Sequence, residues 1–446
     1  MSELSRRKFL EVGAVAAAAG AVMVSCQGND GRKAVTAKTF LDQAPDGAVL
    51  KAGLVGCGGR GTGAAINFLS AGPNLQITAL ADVFEDRLNS CRAKIKKNKG
   101  QDVARENCFV GFDAFEKLID SGVDVVILAT PPHFRPEHFE AAINAKKHVF
   151  MEKPVAVDPV GARTIIAASK RAESLGLTVG TGTQRRHQRD YQACYEQIQS
   201  GAIGEIVSAN CYWNQSQLWY KERKKGWSDM EWMIRDWVNW NWLSGDHIVE
   251  QHVHNIDVVY WFSGVLPTEA VAFGARHRRK TGDQYDMFSV DYGYENGMHV
   301  HSMCRQIDGT QNNVSEIVQG TKGYSNCKNT IYDAKNAVTW AFDYGMGEDG
   351  KKRKNVKVSP YVQEHIDLVT AIRTNQPYVE AETTAQSTLV AIMGRISAYT
   401  GRKVTWEEMM NSDFRIGPKE YAFGAVPSEV KSTAPVPGAA KAKKKA

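Results

Sequence analysis

A chain of 446 residues is long for one hydrophobic core, and with 43% hydrophobic residues it has enough apolar content for two globular units. Its formal charge of +6 resides in terminal clusters (Arg6, Arg7 and Lys8; Lys441, Lys443, Lys444 and Lys445) and in loop-like runs from Arg276 and Lys351. With no aromatic-interleaved basic groove, this pattern excludes a nucleic-acid partner. Eight cysteines without a C-x-x-C pair exclude both a disulfide framework and a zinc pattern.

The first element is an address. "SRRKFL" (Ser5 to Leu10) precedes thirteen small or apolar residues and then Ser25–Cys26, a basic region, a short apolar region and a small residue before cysteine. Thirteen residues are too few to span a bilayer, which needs about 20. The paired arginines make residues 1–26 a twin-arginine signal, and "VSC" is an imperfect lipobox with Cys26 as the candidate lipidated residue. The protein is therefore expected to be exported to the periplasm, with a membrane link only through Cys26. Residues 27–47 read as a linker, and 425–446 as a disordered basic tail without the means to build a core.

Residues 48–175 are expected to form a Rossmann domain, an α/β unit. In "VLKAGLVGCGGRGTGAAINFL" from Val49, an apolar strand runs into Gly56-x-Gly58-x-x-Gly61 and then a helical pattern. The glycines, with Gly59 and Arg60 in the same loop, let the backbone approach a pyrophosphate at the helix N-terminus. The second strand, "LQITALAD", ends in Asp82, suited to the adenosine ribose hydroxyls. That carboxylate favours NAD, while Arg87 leaves NADP open. "VDVVILATPP" (Val123 to Pro132) reads as a strand buried on both faces, and "KHVFMEKP" (Lys147 to Pro154) as the next. Ligands bind at the carboxyl ends of such strands, which puts Thr130, Pro131, His133, Glu152 and Lys153 at the cofactor.

Residues 176–424 are expected to be an α+β substrate and oligomerisation domain with a large, mostly antiparallel open sheet, and a helix near 380–400 packs back on the first domain. A strand ending at Gln184 brings Arg186 and His187 to the substrate side. Seven tryptophans lie between Trp213 and Trp242. Rings with polar neighbours suit a pyranose, so this cluster, Trp237 and Trp240 included, is expected to wall the substrate pocket. Next comes "SGDHIVEQHVHNIDVVYW" (Ser244 to Trp261). On a regular helix Glu250, His254 and Asp257 share one face, with His247 a turn before, and His252 points nearly opposite. Diverging histidines argue against a metal site. Packing remains an alternative, and acid–base chemistry is preferred.

The set "GLVGCGGRG", "ALADVFEDR", "ATPPHFRPEHFEAAINAKKHVFMEKPVA" and "GEIVSANCYW", with this stretch and the closing "HIDLVTAIRTNQPYVEAETTAQSTLVAIMGRISAYTGRKV", resembles the glucose–fructose oxidoreductase / inositol dehydrogenase / MocA family over roughly residues 48 to 407. The resemblance implies a Rossmann domain, a substrate domain whose open sheet pairs in a homo-oligomer, and hydride transfer between a nicotinamide and a sugar or cyclitol carbon. The family's "EKP" lysine falls on Lys153, and its D-x-x-x-H pair on Glu250 and His254, with the following acidic position on Asp257. Glutamate at 250 and His252 in place of glycine depart from the pattern, so His252 is expected to bear on the particular substrate.

In that reading His254 is the general base, Lys153 stabilises the alkoxide, and Glu250 orients a neighbour or meets a sugar hydroxyl. Because free NAD(H) is scarce outside the cytoplasm, export implies a cofactor carried across bound and regenerated in the cycle. A sugar or glycoside oxidoreductase is the leading reading. A redox-neutral glycosidase (oxidation, elimination, hydration, reduction) is the alternative, and a dehydrogenase feeding a separate lyase is a third. A sugar-binding lipoprotein that has lost the chemistry is disfavoured by intact Gly56, Gly58, Gly61, Lys153 and His254.

Overall fold

Six parallel strands form the first sheet: β1 (Leu50–Val55), β2 (Leu75–Asp82), β3 (Cys108–Val110), β4 (Val125–Leu128), β5 (His148–Met151) and β6 (Val179–Thr181). Their spatial order in the computed structural model is β3-β2-β1-β4-β5-β6, with the topological switch between β1 and β4. The structure describes residues 38–347 and 349–438. The signal expected at 1–26, with Cys26, and residues 439–446 of the expected tail lie outside the described residues.

β4 is buried at all four positions, as its apolar run requires of a strand covered on both faces. It stops at Leu128, short of the expected Pro132. Pro131 and Pro132 cannot donate to a ladder, and Pro132–Phe134 forms a tight turn instead. The first domain also reaches beyond residue 175. β6 pairs with β5, and the distant helix Pro360–Arg373 adds Ile366, Leu368 and Val369 to the core around Leu54, Phe68 and Phe150. The described part of the expected linker is packed: Ala44 is buried and its amide donates to Ala71 O (2.8 Å), and Lys38 pairs with Asp367 (2.6 Å).

The second sheet has nine strands. They are β7 (Ile206–Gln215), β8 (Glu269–Ala275), β9 (Met287–Gly293), β10 (His299–Gln306), β11 (Asn313–Gly320), β12 (Gly323–Ser325), β13 (Thr330–Asp333), β14 (Val338–Ala341) and β15 (Val404–Thr405). The order is β14-β13-β12-β11-β7-β10-β9-β8-β15, antiparallel except for the β7–β10 pair. Alternation directs Phe288, Val290 and Tyr292 of β9 and Val300, Ser302 and Cys304 of β10 inward. The other face leaves Val271, Phe273 and Met287 exposed.

The helix Ala381–Thr400 lies between the two sheets. Its first turns give Ala381 and Ala385 to the first core, and Leu389 to Ala398 pack on the second. Arg395 on this helix is fully buried and donates to Gly245 O (2.9 Å) and Val157 O (2.8 Å). Residues 425–438 correct the expectation of a disordered tail. Val430 is buried against Met230, Trp240 and Trp242, and Pro435 O accepts from Tyr285 Oη (2.8 Å). Apolar side chains spaced along a low-complexity segment sufficed to fill a surface groove.

The stretch from Ser244 to Trp261 is not one regular helix. It is a turn of helix, His247–Glu250, then a second helix, Val253–Ser263. At the break the His252 amide reaches back five residues to His247 O (3.1 Å), and the His254 amide bonds Gln251 O (3.3 Å). Such a one-turn bulge releases a carbonyl from the ladder. The released group is the carbonyl of Glu250.

Candidate active site

The glycine loop is built as a close-approach turn. Gly56 has φ +96°, and a Cβ there would meet the Ala129–Thr130 peptide at 2.6 Å. A Cβ on Gly61 would lie 1.8 Å from Gly56 O, so the helix Gly59–Ser70 packs tightly on β1. Nothing lies within 4 Å of where a Cβ would sit on Gly58 or Gly59. The outer side of the loop is open, and no acidic residue neutralises the first helical turn. Asp82 is held by two backbone donors, Cys57 N to Oδ2 (2.7 Å) and Phe84 N to Oδ1 (2.8 Å). Each oxygen keeps a lone pair for a ribose hydroxyl. Burial raises its pKa, while the backbone donors and Arg87 oppose that shift. A cavity of about 510 Å³ runs from Asp82 and Arg87 past Gly58 to Thr130 and Pro131, within the size range of cofactor sites. These residues fit a dinucleotide.

Beyond the end of β5, Lys153 Nζ donates to the freed Glu250 carbonyl (2.6 Å) and lies 3.4 Å from Glu250 Oε1. The broken helix thus provides the lysine's seat. His254 is buried beside it and stacks on Trp213 (5.6 Å between centroids, 22° between planes). Burial, then the charges of Lys153, Arg185 and Arg60, hold its imidazole pKa well below the ordinary value. It is a neutral ring at neutral pH, able to accept a proton. The site therefore joins a proton acceptor and a lysine outside the lining of the dinucleotide cleft, within the electrostatic reach of Arg60 from its glycine loop.

Other expected residues fall elsewhere. His252 is fully buried beneath the sheet, with Nε2 2.7 Å from Ser302 Oγ and 3.8 Å from Cys211 Sγ. It does not face a substrate, and burial lowers its pKa to about 3. It lies on the side a regular helical wheel gives it, opposite Glu250 and His254, so the expectation that it bears on the substrate is corrected while its direction is not. His133 packs against Trp242 and bonds Tyr421 Oη (3.0 Å) away from the cleft. The histidine lining the cleft is His138, with Nδ1 3.4 Å from Thr130 Oγ1. Asp257 and Arg186 satisfy each other through two bonds (2.8 and 2.9 Å), with Ser387 Oγ donating to the same carboxylate (2.7 Å). His187 is clasped by Asp367 (2.7 Å) and Glu380 (3.1 Å). Burial alone would lower its pKa, but these carboxylates outweigh it and raise it. These three residues form structural pairs rather than free substrate contacts. Arg60 spans the cleft to Glu152 and Glu364, so Glu152 is engaged by a side chain of the loop itself.

The tryptophans do not form one sugar-facing wall. Trp213 lies on His254, Trp240 is buried edge-on to Trp232, and Trp219 and Trp237 line the dinucleotide cleft. Two functional neighbours were missed. Arg185, one residue before the expected Arg186, pairs with Glu316 and lies over Trp213 (5.8 Å). Arg135 ties two strand ends together through Thr130 O (2.7 Å) and Pro154 O. A cation in the first turn of Arg135–Asn144 opposes the helix dipole, and that was the available signal. Among the described residues no group of three or more His, Cys, Asp or Glu converges as a metal site.

The pattern of the "Oxidoreductase family, NAD-binding Rossmann fold" matches residues 50–181, and that of the "GFO/IDH/MocA C-terminal domain" matches residues 191–325. The chain belongs to the GFO/IDH/MocA oxidoreductase family. Its first domain is accordingly an NAD-binding Rossmann fold. Among members, the 2,7-anhydro-N-acetylneuraminate hydratase of Escherichia coli is 27% identical over 278 residues, 61% of this chain and 65% of that protein. A glycosyl hydrolase family 109 protein of Solibacter usitatus is 29% identical over 249 residues, 53% of this chain and 52% of the other. The chain thus matches less than two thirds of either relative's length. Family architecture extends to the scyllo-inositol dehydrogenase of Lactobacillus casei, solved with NAD(H) and scyllo-inositol (TM-score 0.59, 20% identity, covering 80% of this chain and 99% of that one). That likeness is one of fold.

Proposed function

We propose that the protein is an NAD(P)-dependent oxidoreductase acting on a carbinol of a sugar or glycoside. The observation that carries the reading is the buried neutral His254, under the charges of Lys153 and of Arg60 from the loop of the NAD-binding cleft. A bound nicotinamide supplies hydride acceptance and return. His254 takes the hydroxyl proton, and Lys153, seated on the Glu250 carbonyl, donates to the same oxygen as negative charge develops. Glu250 holds the lysine and offers Oε1 toward a second hydroxyl. Incubating the purified protein with NAD and a panel of sugars and glycosides tests this. The expected result is NADH formation, or a keto product, that depends on His254.

A redox-neutral variant is supported by the relatives named a hydratase and a glycosyl hydrolase. Oxidation at one ring carbon acidifies the neighbouring C–H, and loss of that proton expels the glycosidic group. Water then adds, and the ketone is reduced by the hydride first removed. Aglycone release from a nitrophenyl glycoside without net NADH distinguishes this route. The N-terminal arginine pair and apolar run favour export with the cofactor already bound and retained through turnover. The exposed Val271, Phe273 and Met287 on the outer face of the open sheet are the surface for a homo-oligomer.

A further inference from the structure

The segment between β7 and the broken helix crosses from the second domain to the first. Trp219, Lys221 and Trp237 line the cleft opposite Asp82, Phe84 and Arg87. Trp219 and Trp237 meet edge to face at 6.2 Å. The segment's helix Asp229–Arg235 ends in an arginine that fixes it to the first domain. The Arg235 guanidinium lies 3.8 Å from the Phe84 ring centroid and bonds Asp86 (3.1 and 3.2 Å) and Glu231 (2.8 Å). The far C-terminal segment holds the same helix from behind. Gly424 O accepts from Met230 N (3.1 Å), Gly424 N donates to Ser228 Oγ (3.1 Å), and Phe423 stacks on Phe84 (5.6 Å).

We propose that Trp219, Lys221 and Trp237 are cofactor-binding residues that form the outer wall of the dinucleotide site, with Arg235 pinning that wall to the Rossmann domain. The adenosine half of the cofactor is then enclosed by both domains. The two indole rings offer apolar faces to a nucleobase or ribose. Lys221 has no carboxylate within salt-bridge distance among the described residues and stands with Arg87 on the cleft, where both suit a phosphate oxygen. Release requires the wall to lift, and lifting requires the Arg235–Asp86 pair and the Arg235–Phe84 stack to part. This inference rests on the proposed function and gives cofactor retention a location.

The test uses the full chain loaded with NADH and chased with excess NAD, following loss of energy transfer from tryptophan to the reduced nicotinamide. Trp237→Ala and Arg235→Ala are expected to release NADH about tenfold faster than the parent, the scale of one aromatic–base contact. Lys221→Met is expected to weaken equilibrium binding by a similar factor, whether the phosphate is the bridging diphosphate or a 2′-phosphate. Equal weakening of NAD and NADP assigns the first, and selective weakening of NADP the second. Arg235→Lys keeps the charge but not the planar stack, and Trp219→Ala alters a ring already 45% exposed, so these two variants are the ones expected to disturb the core least. Release unchanged in all the folded variants, with Lys221→Met binding both dinucleotides as the parent does, overturns the wall and leaves the oxidoreductase reading intact. A parent that binds neither dinucleotide overturns both.

Discussion

His254 and His187 are both buried imidazoles, yet their surroundings set them in opposite states. Around His254 stand Lys153, Arg185 and Arg60, and an indole face. Around His187 stand Asp367, Glu380 and the counter-acting Lys38. The first ring is kept neutral and free to accept a proton, while the second is biased toward the protonated form as a joint between elements. Burial is common to both, so the sign of the neighbouring charge separates a candidate catalyst from a clasp.

That contrast is most readily broken at His254. His254→Ala is expected to lower kcat by roughly 10²–10⁴-fold, the usual worth of a positioned base. A variant that keeps wild-type turnover in a single-turnover assay would remove it from the chemistry. Lys153→Met is expected to cost about 10²–10³-fold, mainly in kcat, because the developing oxyanion loses a donor. The acid limb of kcat/KM should lie well below the ordinary imidazole value of about 6.5, because His254 stays neutral there. An inflection at that ordinary value would contradict a depressed base.

His187 should behave in the opposite sense. Its raised pKa means the folded state binds the proton more tightly than the unfolded chain. The resulting stability is fully present below about pH 6.5 and is lost as pH rises through the folded value. The Tm gap between the parent and His187→Gln is therefore expected to be widest below about pH 6.5 and to narrow as pH rises through the raised folded value. The smallest effect on turnover belongs to His252→Ala. Loss of the Ser302 hydrogen bond should cost about 1–3 kcal/mol of stability, while kcat/KM stays at the parental value. Two histidines separated by a single residue would then differ by orders of magnitude in catalysis.

The glycine loop, the carboxylate at the end of β2 and the two-domain division were legible because each rests on local spacing. The direction of His252, opposite Glu250 on the wheel, was legible too, but its partners were not. Those partners, Ser302 and Cys211, lie on two strands remote in the chain. The same limit hid the fates of Arg186, Asp257 and His187. Their polar side chains found partners on Ser387, Asp367 and Glu380, far along the chain. A tryptophan-rich segment announces a large apolar surface, but its composition does not say which domain it covers.

The fully buried Arg395 grips the backbone at Val157, just past Lys153, and at Gly245, just before the histidine stretch. The segments carrying Lys153 and His254 therefore hang from one strut deep in the molecule, whereas the proposed cofactor wall is tied to the first domain through Arg235 and the exposed carboxylate of Asp86. Under heat or mild denaturant the two should fail in order. The protein would leak its nucleotide while the reaction geometry still stood, so inactivation would begin as a reversible loss of cofactor.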